Sequence, residues 1–406
     1  MDSTKNIALF LDGTWNTVDD NTNVWRLSAL CSAVHGDGSP QAIYYDQGVG
    51  TTWGEHLRGG ILGYGLDRGV LAAYRWLIKT YNPGDKVYVF GFSRGAYTAR
   101  SLTGLIAKCG LLQPGAPLSI DQIFSRYQQS KSQRPIYQLE FEKRELDRRA
   151  RGKSKTTRKI DEFSREESWL LTYSQRIKIQ FIGVFDTVGS LGIPFGHIPG
   201  LSRSSFLFHH TRLSNLFQFA YQALAIDEHR KDFAPSLWTR FTPSQLDKSV
   251  RTQPKAEPVV EQRWFCGAHA NVGGGYINDR LAQIPLSWLV GKATMAGLAF
   301  RYPVIVDKDS AFDPVADSYS EMAYGLYKAV TLGRRHYRTV GLPPFPVSDP
   351  PGMVSTVNET IDSSVFDRWR AQESYRPPAV IDWTERTGIN PVDVRSPVLA
   401  DAGKPV

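Results

Sequence analysis

Ile7–Leu11 is a run of five apolar residues ended by Asp12-Gly13, which predicts a buried strand with a sharp exit turn. Ala42–Tyr45 is a weaker strand candidate. Between Leu66 and Tyr81 the apolar positions Leu66, Val70, Leu71, Tyr74, Leu77, Ile78 and Tyr81 recur at helical spacing. Asn82-Pro83-Gly84-Asp85 then stops the helix and turns the chain. Lys86–Phe90 is β-branched and aromatic and predicts a second buried strand. After Gly91–Gly95 a helix is expected over Ala96–Lys108, with Ala99, Leu102, Leu105 and Ile106 on one face and Gly110 past its end. Strand, tight turn and helix in succession are the unit of a parallel, doubly wound sheet.

Leu111–Leu171 interrupts that rhythm with turns, Gln, Ser and a basic stretch, and reads as an insertion, helical in part, outside the sheet. Ile177–Phe185 is the next strong strand and ends at Asp186. Ser205–Ile226, rich in Phe and Leu, is expected to be helical. Trp264–Ala268 predicts a strand ending at His269 and Gly273-Gly274-Gly275, and Gln283–Phe300 a helix. Beyond it 12 of the 24 prolines fall between Pro303 and Pro405, so the composition shifts. The expected organisation is a catalytic domain over 1–300, with the insertion at about 111–171, and a loop-rich C-terminal extension over 301–406 packed on it.

With 41% hydrophobic and 22% charged residues, a sizeable core forms and wholesale disorder is excluded. The net charge of +8 raises the question of nucleic acid. Its distribution argues against that. Between Glu140 and Lys159 nine Lys/Arg face four acids, so five of the eight charges sit in one polar segment. No base-reading module accompanies them. The basic stretch 143–159 reads as a solvated loop or as a dock for an anionic membrane surface. Three scattered cysteines, Cys31, Cys109 and Cys266, offer neither a disulfide framework nor a metal pattern and fit a reducing compartment. The N-terminus enters a strand without a signal-like region, and no apolar run approaches the length of a membrane span, so a soluble cytoplasmic protein is expected.

Gly91-Phe92-Ser93-Arg94-Gly95 fits the nucleophile elbow G-x-S-x-G, here between a strand and a helix as the chemistry requires. The turn exposes the Ser93 hydroxyl while the helix N-terminus and the Arg94 N–H face a developing oxyanion. An elbow serine needs a base, and the base an acid that fixes its tautomer. The α/β-hydrolase order is Ser, acid, His. Asp186 ends the strongest strand after the elbow, and His269 directly follows a later one. His197 lies in a loop pattern; His209, His210 and His229 lie in a helical one. Asp12-Gly13-Thr14 either supplies a second oxyanion N–H, from Gly13 or Thr14, or is a plain strand-ending turn. The triple glycine lacks the Lys-Ser/Thr of a phosphate loop and reads as conformational necessity. The aromatic stretch Phe206–Tyr221 either lines an acyl pocket or fills core.

LFLDGTWN, GFSRGAYTAR, VFDTVGSLG, ALAIDEHR, WFCGAHANVGGGY and SYRPPAV resemble the α/β-hydrolase family that includes the type VI secretion phospholipase effectors, lipase effector family 1. The motifs run from residue 9 to about 380. The resemblance implies a mostly parallel α/β-hydrolase sheet, nucleophile Ser93, acid Asp186, base His269 and lipid esters as substrates. It also implies a secretion-system or immunity partner if the chain is an effector. No metal or organic cofactor is required. The family loop usually reads H-x-D-V-G-G-G, whereas Asn271 holds the Asp position here, so any anionic role of that Asp is lost. The expected activity is carboxylic ester hydrolysis through an acyl-enzyme. An acyltransferase or thioesterase with the same trio, or a hydrolase-like binding protein, are the alternatives.

Overall fold

The computed structural model describes residues 4–13, 20–48, 61–129, 133–152, 160–188, 216–243, 259–277, 279–348 and 351–401. Strands β1 (Asn6–Leu11), β2 (Gln41–Asp46), β3 (Lys86–Phe92), β6 (Ile179–Phe185), β7 (Phe217–Ala225), β9 (Val260–Phe265), β12 (Glu359–Ile361) and β13 (Val398–Leu399) form one eight-stranded sheet. Its order is β13-β12-β9-β7-β6-β3-β1-β2. Every neighbouring pair is parallel except β12–β13. Two shorter pieces lie outside it. β4 (Leu111–Leu112) pairs with β5 (Ser174–Gln175), and β10 (Phe345–Ser348) and β11 (Pro351–Thr356) pair in series onto β8 (Thr239–Pro243).

Helices α1 (Asn23–Leu30), α2 (Ile61–Thr80), α3 (Arg94–Cys109), α4 (Ile120–Gln128), α5 (Ile136–Ala150) and α6 (Arg165–Tyr173) precede β6 or flank its insertion. Helices α7 (His269–Gly273), α8 (Gln283–Met295), α9 (Ser318–Glu321), α10 (Leu326–Val330), α11 (Ser363–Ala371) and α12 (Pro378–Thr387) follow β9. Alternation along β1 explains the two layers. Ile7, Leu9 and Leu11 pack with Val70, Tyr74 and Leu77 of α2 and Leu102 and Leu105 of α3. Ala8 and Phe10 point the other way, into a cluster with Val24 and Leu27 of α1 and Leu286 and Leu289 of α8. Both faces are thus buried, the condition under which parallel strands read as continuous apolar runs. The α/β architecture is the one the sequence predicts.

Phe217–Ala225 corrects the helix expected over Ser205–Ile226: it is β7, between β6 and β9. A strand buried on both faces has no polar alternation, so its periodicity cannot be told from that of a buried helix. Residues 205–215 of that stretch lie outside the described residues; of the aromatic stretch Phe206–Tyr221, Phe217 and Tyr221 are buried in the two core clusters. The helix expected over Gln283–Phe300 stops at Met295, because Gly297 takes φ 98°. The insertion carries α4, α5 and α6, and β4–β5 ties its ends together. Residues 153–159 of the basic stretch are outside the described residues. From the chain past residue 300, β12 pairs in parallel with β9 and extends the central sheet. Among the described residues no helix is long and apolar enough to cross a membrane.

Candidate active site

β3 delivers Ser93 at its C-terminal end and α3 begins at Arg94, so Ser93 is left in the turn at φ 56°, ψ −120°. That conformation costs a non-glycine residue on the order of 1–3 kcal/mol, and the surroundings must impose it. Two glycines let them. A Cβ on Gly91 would lie 2.6 Å from the Gly95 carbonyl oxygen, and one on Gly95 would lie 2.1 Å from that of Leu11. The elbow is folded hard against the end of β1, and no side chain fits at either place. The Ser93 N–H donates to the Phe185 carbonyl at 3.1 Å, which fastens the elbow to the end of β6.

Asp186 follows β6 directly, at φ 37°. Its fully buried carboxylate accepts from His269 Nδ1 at 2.6 Å and from the Ala225 N–H at 3.1 Å. Arg338 adds a fork, Nη1 to Oδ1 at 2.6 Å and Nη2 to Oδ2 at 2.9 Å. Burial alone would raise the Asp186 pKa, but the Arg338 guanidinium and then His269 outweigh it and hold the carboxyl well below its usual range. Asp186 is therefore an anion, and Nδ1 of His269 carries the proton it donates.

His269 opens α7 just past β9. Its imidazole lies between Phe92, at 4.7 Å between ring centroids, and Phe233, edge-on at 5.1 Å. Its backbone N–H donates to Glu228 Oε2 at 3.3 Å. Burial lowers the imidazole pKa below 6.5, and the Asp186 hydrogen bond and charge pull it back only in part. The ring is neutral at neutral pH, and its buried Nε2 has no hydrogen-bond partner among the described residues. A neutral Nε2 beside an anion-backed Nδ1 can take a proton and be stabilised once charged.

The glycine run that follows has packing reasons. A Cβ on Gly273 would come within 1.9 Å of the Phe92 ring, the ring that lies against His269. Gly274 and Gly275 take φ 80° and 124°. Asn271 closes the loop: its Oδ1 accepts from Ala268 N–H at 3.0 Å and Ala316 N–H at 3.1 Å.

Gly13 lies at the same sheet edge, but its N–H donates to its neighbour Asp12 Oδ1 at 2.8 Å. Asp12 Oδ2 accepts from the hydroxyls of Thr22 and Tyr45. Thr14 lies outside the described residues. So do His197, His209 and His210, while His229 follows β7 in a loop and not a helix. The described residues contain no group of three or more His, Cys, Asp and Glu placed to hold a metal.

The family model for the catalytic domain of Tle1-like phospholipase effectors of type VI secretion matches residues 5–292. The chain belongs to this family. A curated relative, the uncharacterized protein YEL023C of Saccharomyces cerevisiae, is 30% identical over 256 residues, which is 58% of this Tle1-like chain and 33% of the relative. The chain thus spans about a third of that relative's length. A crystal structure of an uncharacterized protein from Pseudomonas aeruginosa aligns at 18% identity, covering 78% of this chain and 49% of its own, with a TM-score of 0.38. The structure of the Tle1 effector bound to the VgrG spike aligns at 16% identity, covering 68% and 51%, with a TM-score of 0.33.

Two site residues escaped the sequence reading of this Tle1-like chain. Arg338 lies beyond the matched segment and reaches Asp186 across 152 positions. Glu228, in the quoted ALAIDEHR motif, is fully buried and ties Arg230, Ser318 and the His269 backbone together. Burial would raise its pKa, but Arg230 holds the carboxyl down at about 2. Only the motif pointed to Glu228, and nothing local pointed to Arg338.

Proposed function

We propose that this chain hydrolyses carboxylic esters of lipids through an acyl-enzyme on Ser93. The supporting observation is the 2.6 Å contact of His269 Nδ1 with Asp186, beside a buried, unpartnered Nε2 and against the residue that precedes the elbow serine. Ser93 Oγ attacks the ester carbonyl as Nε2 accepts its proton. The Arg94 N–H, at the first position of α3, meets the oxyanion. His269 returns the proton to the leaving alcohol, and a water activated by Nε2 releases the acid. The Gly13–Thr14 turn is the proposed second donor; for Gly13 that role requires its N–H to leave Asp12. Membership of the effector family favours lipid esters over other acyl compounds, and makes a secretion-system component the partner to test by co-purification.

A fluorophosphonate probe, acyl esters of increasing chain length and defined phospholipids test this with a Ser93→Ala control. The serine is expected to label and turnover to fall on the order of 10⁶-fold in the variant. Undiminished labelling of Ser93→Ala would overturn the assignment, and labelling without turnover on any ester would favour transfer to another acceptor.

A further inference from the structure

Helix α10 ends in an unusual cap. The N–H groups of Thr331, Leu332 and Gly333 fold back on Tyr327, Ala329 and Lys328, and Leu332 takes φ 53° before Gly333 takes 73°. Glycine or asparagine normally fills the left-handed position past a helix, since a Cβ is strained there. Leu332 instead holds its apolar side chain 80% exposed. Val330 and Tyr337 are about half exposed on the same short segment. Lys328, Arg334 and Arg335 stand among them, and no acid occurs between Lys328 and Thr339. Arg335 is paired with Asp317 at 2.6 Å.

The segment is anchored, so the exposure is built in. Thr331 Oγ1 meets the Tyr319 hydroxyl at 2.6 Å beneath it, and the Tyr327 hydroxyl donates to Asp232 at 2.9 Å. The His336 N–H donates to the His229 carbonyl at 2.9 Å, and Arg338 then enters the site to hold Asp186. Both anchors, residues 229 and 232, lie just ahead of Phe233, whose ring lies on His269.

We propose that the tip Lys328–Tyr337 is an interfacial surface that seats on an anionic phospholipid bilayer. Leu332 and Val330 enter the acyl region, and Lys328 and Arg334 meet lipid phosphates. Apolar side chains with Lys328 and Arg334 beside them, in a stretch without an acid between Lys328 and Thr339, complement such a surface, Arg335 being taken up by Asp317, and the tip's attachment beside His269 would hold the site near the lipid. Helix α5 is the rival, since it carries exposed Tyr137, Phe141, Arg144 and Arg148. It belongs to the far edge of the sheet. Ile136 packs by Gly110 at the C-terminal end of α3, and Glu140 pairs with Arg176, just ahead of β6. A bilayer there would face away from Ser93.

The proposal rests on the lipid-ester reading above, and the two are tested apart. Vesicles of phosphatidylcholine with and without phosphatidylglycerol are sedimented with the full chain carrying Ser93→Ala, so that no lipid is consumed. Leu332→Gly is expected to weaken binding about tenfold, the scale of exposing one leucine side chain. Its melting temperature should hold or rise, because glycine relieves the strain. Lys328→Gln with Arg334→Gln should weaken binding to the anionic vesicles about fivefold per cation, and added salt should erase the difference. In the chain with Ser93 intact, the tip variants should hydrolyse a soluble short-chain ester as before. Vesicle binding untouched by these variants would overturn the proposal. So would a loss that follows Arg144→Gln and Arg148→Gln on α5 instead. A dimer of the chain that Leu332→Gly dissolves would assign the tip to a second copy and overturn it as well. Fluorophosphonate labelling of Ser93 is scored separately, so failure of the hydrolase reading and failure of the docking surface give different results.

Discussion

Arg338 grips Asp186 with both terminal nitrogens, at 2.6 and 2.9 Å, so the carboxylate that orients His269 is itself held by a residue from the chain past residue 300. The guanidinium also donates to the Ala225 and Phe233 carbonyls, at 2.7 and 2.6 Å. Its side chain is 1% exposed and that of Asp186 is 0%. Each ion is thus taken out of water, and each depends on the other. Arg338 draws on the same charge that would stabilise a protonated His269, and so keeps the imidazole neutral to lower pH.

Replacing Arg338 by Met should therefore act in two ways. Removing one partner of a buried pair costs about 3–5 kcal/mol, read as a lower melting temperature. In protein that remains folded, the undivided Asp186 charge should raise the His269 pKa, moving the acid limb of kcat/KM to higher pH. The imidazole starts below 6.5, so the wild-type limb is expected below that value. Arg338→Lys should restore part of the stability with single-point contact only. A loss of stability with an unmoved acid limb would leave Arg338 a purely structural residue.

Asp186→Asn is expected to cost on the order of 10⁴ in turnover, because the amide favours the wrong imidazole tautomer. The Arg338 fork adds a second consequence. The amide leaves a buried guanidinium without its counterion, so thermal stability should fall together with turnover. An Asn variant as stable as the wild type would mean that the Arg338 pair contributes nothing net to the fold.

Ser93 and Asp186 both hold positive φ, at 56° and 37°, at the ends of adjacent strands. Ser93→Gly should relieve the first strain, stabilising the chain by about 1–3 kcal/mol while abolishing turnover. Ser93→Ala should lose turnover without that gain. Equal melting temperatures for the two variants would show that the elbow stores no strain.

What could be read beforehand follows from how each part is specified. β1, β3 and β6 are central parallel strands buried on both faces, and their unbroken apolar runs are visible in the chain. The elbow is local, with glycines two positions either side of Ser93, so its turn is legible too. Asp186 and His269 stand at strand ends, where chain order and sheet polarity narrow the choice. β7 defeated the same logic: FQFAYQALA is apolar at both periods, and only its pairing with β6 and β9 decides it. Arg338 is one of four cations within RRHYR and its surroundings, and nothing local separates it from Arg334, which stays in solvent. Its role arises from a contact 152 positions away.

Gly273 is expected to be intolerant of even a methyl group. Its absent Cβ leaves the space filled by Phe92, and a Cβ there would sit 1.9 Å from that buried ring. Gly273→Ala must push Phe92 aside and His269 with it. A cost of about 1–3 kcal/mol in stability is expected from overpacking, and a displaced base should lower kcat on the order of 100-fold. Gly291→Ala is the control, since nothing lies within 4 Å of that Cβ in α8. The control should be neutral or stabilising by up to about 1 kcal/mol. Normal turnover in Gly273→Ala would uncouple the Phe92 ring from the placement of His269.

Asn271→Asp should destabilise this chain, and do so more at high pH. Asn271 lies beside Asp279, whose pKa burial pushes up from 3.8 to about 6 although the Leu281 N–H donates to its Oδ1 at 3.0 Å. A folded pKa above the unfolded one means that the neutral acid suits the fold. Its contribution is whole below about pH 4 and is lost as pH rises through about 6. An aspartate at 271 would bring a second carboxylate beside the first, so the two would share a proton and hold it to still higher pH. At pH 8 both would be forced to ionise, and the variant should be less stable than the wild type by on the order of 2 kcal/mol. Towards pH 5 the shared proton should return and most of that deficit vanish. Denaturant unfolding of both proteins at pH 5 and pH 8 reads the difference directly. A deficit of the same size at both pH values would show that the side chain at 271 carries no electrostatic coupling to Asp279, and that its loss acts through packing of the His269 loop alone.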